Sequence, residues 1–439
     1  MRTTFCVSTY GCKVNQYESQ LIREGFIAAG CAETNSTDAD IVVVNTCTVT
    51  AQSDGKIRQA VRRIRRSNPN NTIIITGCGA NRHADLFGDD ENIYLATGNS
   101  WKERYTQLQS VILRVMSGDI HPYSPETNFS IPESITGFGR HTRAFVKAQD
   151  GCDSFCSYCT IPLVRGRSVS RDLGEVCEEV NRLLESGYKE IVLTGIHLGQ
   201  YRDSNHNRLD ALLRALTGLP YRYRLRLSSI EPQDITSEVI EAFAGSEKIT
   251  SHLHLPIQHG HNDILRAMNR RYTLEQYESL VDSLRRAKRD ILLTTDLIVG
   301  FPTETDQQFE HSLEAILRIG YLKVHVFPFS SRPGTKAASM TDTVPAVQIK
   351  QRTAEAIKLT TARADEIKTG FIDRILPVLV ESRKNKYTGM WTGFTPQYIK
   401  VNFYAGQPCA NKIVPVRLTG LHHDAMTGEL IHADTSELD

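Results

Sequence analysis

AFVKAQDGCDSFCSYC, residues 144–159, is the stretch from which the rest of the chain can be read. Its first six residues make a short apolar run of strand type. Its second half carries Cys152, Cys156 and Cys159, with three and then two residues between them. A structural zinc wants four protein ligands in a closed shell. A 4Fe-4S cubane wants four as well, unless one iron is left open for something else to bind. No fourth cysteine or histidine stands close by.

The same strand-then-loop pattern recurs around it. Strands are expected at AFVKAQ, EIVLTG, YRLRLS, HLHLPIQ, LLTTDLIVG and KVHVFPFS, with helical stretches such as EVCEEVNRLLES between them. Six such βα units predict a partial (βα)6 barrel over residues 141–368, with chemistry at the C-terminal ends of its strands. Upstream, TTFCVSTYGC, IVVVNTC, TIIITGC and NIYLATG read as buried parallel strands. The helix KIRQAVRRIRR shows one apolar face at Ile57, Ala60, Val61 and Ile64. Residues 1–117 are therefore expected to form a doubly wound parallel sheet, making the whole an α/β protein. Residues 118–140, rich in Gly, Pro and Ser, read as a linker. Residues 369–435 alternate short β-branched runs with turn residues and predict a small antiparallel β-barrel.

The 439 residues are 40% hydrophobic and 23% charged, with a formal net charge of +1, an ordinary globular balance. The near-neutral total says nothing against a nucleic-acid partner, which is met by local patches. The N-terminus shows no apolar signal-peptide core, and no run approaches membrane-spanning length; a cytoplasmic protein with no membrane contact is expected. In a reducing compartment ten cysteines are metal ligands or small buried residues rather than disulfides.

A second cysteine set has the same logic. Cys12, Cys47 and Cys78 each end a predicted N-terminal strand, in VSTYGC, VVVNTC and IIITGC. Parallel strands present their C-terminal ends on one edge of a sheet, where such folds bind ligands. Cys6, Cys31, Cys177 and Cys409 lack any such pattern and are expected to be buried core residues. His197, His254 and His259 have no ligand-like spacing and are expected to be core or surface histidines.

The cysteine triplet after a barrel's first strand resembles the radical S-adenosylmethionine superfamily. TYGCKVNQYES (9–19), NTCTVT (45–50), TGC (76–78), GCDSFCSYCTIPLVRGR (151–167), LTGIHLGQY (193–201), LSSIEP (227–232), HLPIQHG (254–260) and DLIVGFPTET (296–305) follow the methylthiotransferase family in order. The C-terminal portion is similar to that family's RNA-binding TRAM barrel. The resemblance implies two 4Fe-4S clusters, one on Cys152, Cys156 and Cys159 and an auxiliary one on Cys12, Cys47 and Cys78. It also implies S-adenosyl-L-methionine as methyl donor and radical source. CTVTAQSDGKIRQ and CSYCTIPLVRGRS look like the branch that methylthiolates C2 of N6-threonylcarbamoyladenosine at tRNA position 37. Sister branches act on isopentenyladenosine in tRNA or on a ribosomal protein. A reading of another class is a non-catalytic zinc-containing RNA-binding protein. Implied partners are a tRNA anticodon stem-loop and a low-potential donor of flavodoxin or ferredoxin type, the chain being expected to act as a monomer. LTGIHLG stands where the wider superfamily often has Gly-Gly-Glu, which leaves open the residue that receives the cofactor's amino group.

Cofactor contacts are sought at strand C-terminal ends. Candidates are Gly195, Ser228, Gln258 and Asp296, with Phe329 near the adenine and Tyr158 packing on it; each has an ordinary structural role as its alternative. For RNA, KIRQAVRRIRR offers Lys56, Arg58, Arg62, Arg63, Arg65 and Arg66 in a stretch free of acids. Residues 374–417 interleave seven Lys/Arg with Tyr387, Trp391, Phe394, Tyr398, Phe403 and Tyr404, a composition suited to stacking bases among phosphates. Arg165, Arg167 and Arg171 are expected to steer RNA toward the cluster loop. Arg222, Arg224 and Arg226 alternate with apolar residues; they either point into the barrel, toward carboxylates such as Glu231, or lie on a solvent edge.

Overall fold

The computed structural model describes residues 3–48, 51–82, 91–98, 100–117, 130–139 and 141–431. Its N-terminal sheet is wholly parallel. Strands β1 (Thr4–Thr9), β2 (Ala32–Glu33), β3 (Ile41–Thr46), β4 (Thr72–Gly77) and β5 (Ile93–Leu95) lie in the order β2-β1-β3-β4-β5. IVVVNT and TIIITG are buried along their whole length because helices cover both faces of the sheet. Those helices are α1 (Lys13–Ala28), α2 (Ala51–Ser67), the short α3 (Cys78–Arg82) and α4 (Trp101–Ser117). Ile57, Ala60, Val61 and Ile64 form the buried face of α2, as their spacing predicts.

All six expected barrel strands form. β6 (Ala144–Asp150), a short antiparallel β7 (Val169–Ser170), β8 (Glu190–Gly195) and β9 (Arg224–Leu227) make one sheet. β10 (His252–His254), β11 (Leu292–Val299) and β12 (Lys323–Pro328) make another. Parallel bridges Leu225–Ile249 and Ser229–His254 join the two into an open curved wall. Between β6 and β8 run α5 (Ile161–Arg165) and α6 (Leu173–Glu185).

The tail closes into a barrel of β13 (Ile375–Val380), β14 (Trp391–Phe394), β15 (Lys400–Tyr404), β16 (Ile413–His422) and β17 (Ala425–Leu430). One ladder departs from the antiparallel expectation: β15 and β17 pair in parallel, because β16 crosses the barrel before β17 returns beside β15.

Residues 118–129 of the expected linker, and 432–435 of the tail, fall outside the described residues. The linker's later part is irregular but packed: Ile131, Ile135 and Phe138 are buried in the core. Its Ile135 N–H donates to Glu179 of α6 at 2.9 Å, and Thr136 N–H donates to Glu24 of α1 at 2.9 Å. A Gly/Pro/Ser composition forbids regular hydrogen-bonded structure, not burial. One continuous apolar cluster includes Phe5 and Leu21 of the N-terminal unit with Ala144 and Leu193 of the barrel. Among the described residues no helix is long and apolar enough to cross a membrane.

Candidate iron–sulfur and cofactor site

Glycine delivers two of the six cysteines. Gly151, ahead of Cys152, has φ +71°, and a Cβ there would lie 1.9 Å from the Arg167 carbonyl oxygen. Gly77, ahead of Cys78, has φ +87°, and a Cβ would lie 2.4 Å from the Thr46 carbonyl oxygen. Only glycine takes both the backbone sign and the close approach. The chain can then turn sharply off β6 and β4 and leave each thiol at the strand end.

Cys152, Cys156 and Cys159 border one cavity of about 260 Å³. Of the expected cofactor contacts, Tyr158, Gln258, Asp296 and Phe329 also line it. Gly195 and Ser228 are not among its walls. At Gly195 a Cβ would lie 2.9 Å from Gln149 Oε1, the same oxygen that accepts from His197 N–H at 2.8 Å. Its smallness thus serves the packing of Gln149. Ser228 Oγ is buried with no hydrogen-bond partner. Gln258 holds a left-handed backbone, φ +62°, at the cavity edge, a conformation that collects at functional sites.

Each thiol of this trio meets a donor. Cys152 Sγ lies 3.2 Å from His197 Nδ1 and 3.4 Å from the Ser154 N–H. Cys156 Sγ accepts from Arg270 Nη1 at 3.2 Å, and Cys159 Sγ from the Ile161 N–H at 3.5 Å. His197 is paired on its other nitrogen with Asp234, and Arg270 with Glu231. Burial opposes the His197 cation, but Asp234 and Cys152 outweigh it and push its pKa up to about 10. Burial raises the Cys152 thiol, yet the bond from His197 leaves it below the ordinary value. Cys159, buried and beside Cys156, is pushed up to about 12. His197 is therefore a donor to a candidate ligand rather than an idle core residue. Buried His259 lies beside Glu304 in the core, whereas partly buried His254 lies 2.9 Å from Thr294 Oγ1 and 3.3 Å from Oδ2 of the cavity-lining Asp296.

The second trio gathers at the N-terminal sheet edge. Cys12 caps α1, Cys47 follows β3 and Cys78 opens α3. A Cβ on Gly11 would come within 3.0 Å of Cys47 Cβ, which puts the first two loops side by side. Asn15 accepts from Cys12 Sγ at 3.2 Å and donates to the Thr46 carbonyl at 3.1 Å. Thr46 Oγ1 donates to the Thr76 carbonyl at 2.5 Å and accepts from Gly79 N–H at 3.1 Å. Hydrogen bonds thus run across all three strand ends. Arg165 Nε–H donates to Cys78 Sγ at 3.0 Å.

Among the described residues, no three His, Cys, Asp or Glu side chains gather closely enough for a single metal ion. A cubane takes each thiolate on a different iron. The donor set fits that chemistry: thiols at two loop clusters, with N–H groups aimed at the sulfurs, as clusters held by thiolates require.

The arginines correct the sequence reading. Arg165 is wholly buried against Glu18 and Asp150, and Arg171 is paired with Glu179. Buried carboxylates claim both, whereas Arg167 is 74% exposed, stacked on Phe155 and paired at the surface with Asp153 at 3.2 Å. On β9 Arg226 pairs with Glu190 at 2.8 Å rather than with Glu231, and Arg224 donates to the Pro377 carbonyl at 2.6 Å; Arg222 is exposed. Tyr398 and Phe394 of the small barrel lie 4.5 Å from the Arg226 and Arg143 guanidinium carbons respectively. Trp391 and Phe403 are core residues. Tyr387 and Tyr404 remain, 85% and 68% exposed. Arg270 and Asp234 carried no sequence signal, since each acts across a long stretch of chain.

Known proteins agree with this architecture. A model described as the radical SAM superfamily matches residues 146–316, and one described as uncharacterized protein family UPF0004 matches residues 4–97. The radical S-adenosylmethionine methyltransferase TsrM from Kitasatospora setae shares the fold with a TM-score of 0.54 at 16% identity, over 77% of each chain. OxsB, a cobalamin-dependent S-adenosylmethionine radical enzyme, does so at 0.51 and 11%, over 81% of this chain and 56% of its own. Fold and site thus define a radical S-adenosylmethionine protein. The threonylcarbamoyladenosine tRNA methylthiotransferase MtaB of Chlamydia pneumoniae is 36% identical, covering 98% of this chain and 99% of its own. Its Bacillus subtilis namesake is 35% identical over 99% and 98%. A tRNA-2-methylthio-N(6)-dimethylallyladenosine synthase of Novosphingobium aromaticivorans is 31% identical over 97% of each. The chain belongs to the radical S-adenosylmethionine methylthiotransferase family.

Proposed function

We propose that this chain is the tRNA methylthiotransferase that places a methylthio group on C2 of N6-threonylcarbamoyladenosine at position 37. The observation that carries the reading is the pair of cysteine trios at neighbouring strand ends, within a chain matching relatives of that name along nearly its whole length. Adenine C2 bears an unactivated C–H bond that no side-chain acid or base can convert to C–S, so the difficult step belongs to cofactors. When bound, two 4Fe-4S clusters and S-adenosyl-L-methionine supply the radical and the methylated sulfur. Cys152, Cys156 and Cys159 would hold the first cluster and Cys12, Cys47 and Cys78 the second.

The remaining work falls to the protein's own groups. Tyr158, Gln258, Asp296 and Phe329 shape the cofactor cavity beside the first trio. His197 and Arg270 direct N–H groups at its sulfurs. Lys56, Arg58, Arg62, Arg63 and Arg66 are exposed on α2 and suit phosphates. Tyr387, with Lys386 Nζ 4.8 Å from its ring, and Tyr404 offer faces for unpaired bases of an anticodon stem-loop. A low-potential donor of flavodoxin or ferredoxin type would reduce the first cluster, and a cytoplasmic monomer suits a tRNA substrate.

Mass spectrometry of tRNA nucleosides from a deletion strain tests the reading. Specific loss of the methylthio-threonylcarbamoyl nucleoside is expected. Loss of the methylthio-isopentenyl nucleoside instead would move the protein to the sister branch.

A further inference from the structure

Arg165 closes α5, only six residues beyond Cys159 in the chain, yet its side chain reaches the other cysteine set. It is 0% exposed. Nη1 donates to Glu18 Oε1 at 2.8 Å and to Asp150 Oδ1 at 3.0 Å, and Nη2 donates to Glu18 Oε2 at 3.2 Å. Its Nε–H is spent on Cys78 Sγ at 3.0 Å. One guanidinium therefore joins α1, β6 and the third thiol of the N-terminal trio.

Two further cations share its carboxylates. Lys147 Nζ lies 3.2 Å from Asp150 and 3.8 Å from Glu18, and Arg104 lies 4.0 Å from Asp150. Three buried cations, Arg165, Lys147 and Arg104, thus gather on two buried carboxylates, Glu18 and Asp150. A buried charge is costly unless it is paired and hydrogen-bonded. Cys78, once ligated as a thiolate, would add a negative partner on the Nε–H side of Arg165.

We propose that Arg165 is the positioning residue of the auxiliary centre: it fixes Cys78 through Nε–H and raises that centre's reduction potential through the positive charge it holds at the sulfur. The proposal rests on the reading of Cys12, Cys47 and Cys78 as ligands. A reduced cluster is the more negative state, so a charged donor at a ligand sulfur favours it and raises the potential. Lysine cannot replace this fork, because an ammonium is a point charge that cannot bind two carboxylates and a sulfur in one plane.

The test uses the full chain, reconstituted anaerobically, with Cys152, Cys156 and Cys159 all changed to Ala so that the auxiliary cluster alone reports. In this background Arg165→Lys and Arg165→Met are compared with the parent by iron content and by potentiometric titration followed by electron paramagnetic resonance. Arg165→Met leaves two cations facing two carboxylates, and Arg165→Lys keeps the charge without the fork, so at least one folded variant is expected. Retained iron with a potential lowered in Arg165→Lys and lowered further in Arg165→Met is the expected result. Loss of iron from a variant whose circular dichroism matches the parent also supports the proposal. An unchanged potential and spectrum at full iron content would overturn it. A parent that takes up no cluster refutes the ligand reading itself, and the proposal falls with it.

Discussion

Arg332 Nη2 lies 2.7 Å from Asp54 Oδ2, joining the loop after the last barrel strand to the first turn of α2. The same nitrogen donates to the Thr48 hydroxyl at 2.7 Å and to its carbonyl at 2.8 Å, and Thr48 follows Cys47 directly. Both side chains of the pair are nearly sequestered from water, at 5% and 9% exposure.

Arg332→Ala leaves Asp54 buried without that cation. Breaking a buried pair from one side costs about 3–5 kcal/mol. The expected outcome is a loss of that order in urea titrations of the apo chain, together with faster loss of auxiliary-cluster iron to a chelator. A variant with parental stability and iron retention would show that the Cys47 loop is held by other contacts.

The two trios are expected to divide the chemistry. Cys12→Ala should leave S-adenosyl-L-methionine cleavage intact while abolishing sulfur insertion into tRNA. Cys156→Ala should abolish both. Chromatographic assay of 5′-deoxyadenosine beside nucleoside mass spectrometry checks the pair; a Cys12→Ala enzyme that still thiolates tRNA refutes the division.

Aromatic and cationic contacts to RNA separate by their salt dependence. Tyr387→Ala and Tyr404→Ala should each weaken tRNA binding by about 1–3 kcal/mol with little change in the salt slope, as stacking requires. Arg62→Ala and Arg63→Ala should each reduce the slope of log K against log salt by up to about 0.9, the value for one phosphate contact. Binding isotherms at several salt concentrations distinguish the two behaviours.

His252 makes stability sensitive to acid. Burial, with Arg226 and Lys13 nearby, holds its pKa well below the ordinary histidine value. Its ring packs 4.9 Å from that of Tyr398 and bonds Thr294 Oγ1 at 3.1 Å. An unfolded chain protonates this histidine below about pH 6.5, whereas the folded chain does not, so folding loses stability as pH falls through that point. The loss approaches about 1.4 kcal/mol per pH unit for one proton. His252→Gln should flatten the decline between about pH 7 and pH 5 in urea titrations.

The strand-ending cysteines, the six βα units and the small barrel were legible along the chain. Each rests on local causes: hydrophobic period, glycine at forced turns, and thiols placed one unit apart. Tyr158, Gln258, Asp296 and Phe329 could likewise be guessed, because in this fold class the C-terminal ends of strands converge on one mouth. Folding was needed to assign the charges. Arg165 and Arg167 sit two residues apart in one basic stretch, yet one is wholly buried on Cys78, Glu18 and Asp150 and the other is exposed. Arg226 took Glu190, and Glu231 took Arg270. A guanidinium's fate depends on which carboxylates share its low-dielectric surroundings. Partners drawn from across the chain meet only once the elements have packed, and spacing along the chain carries no trace of them.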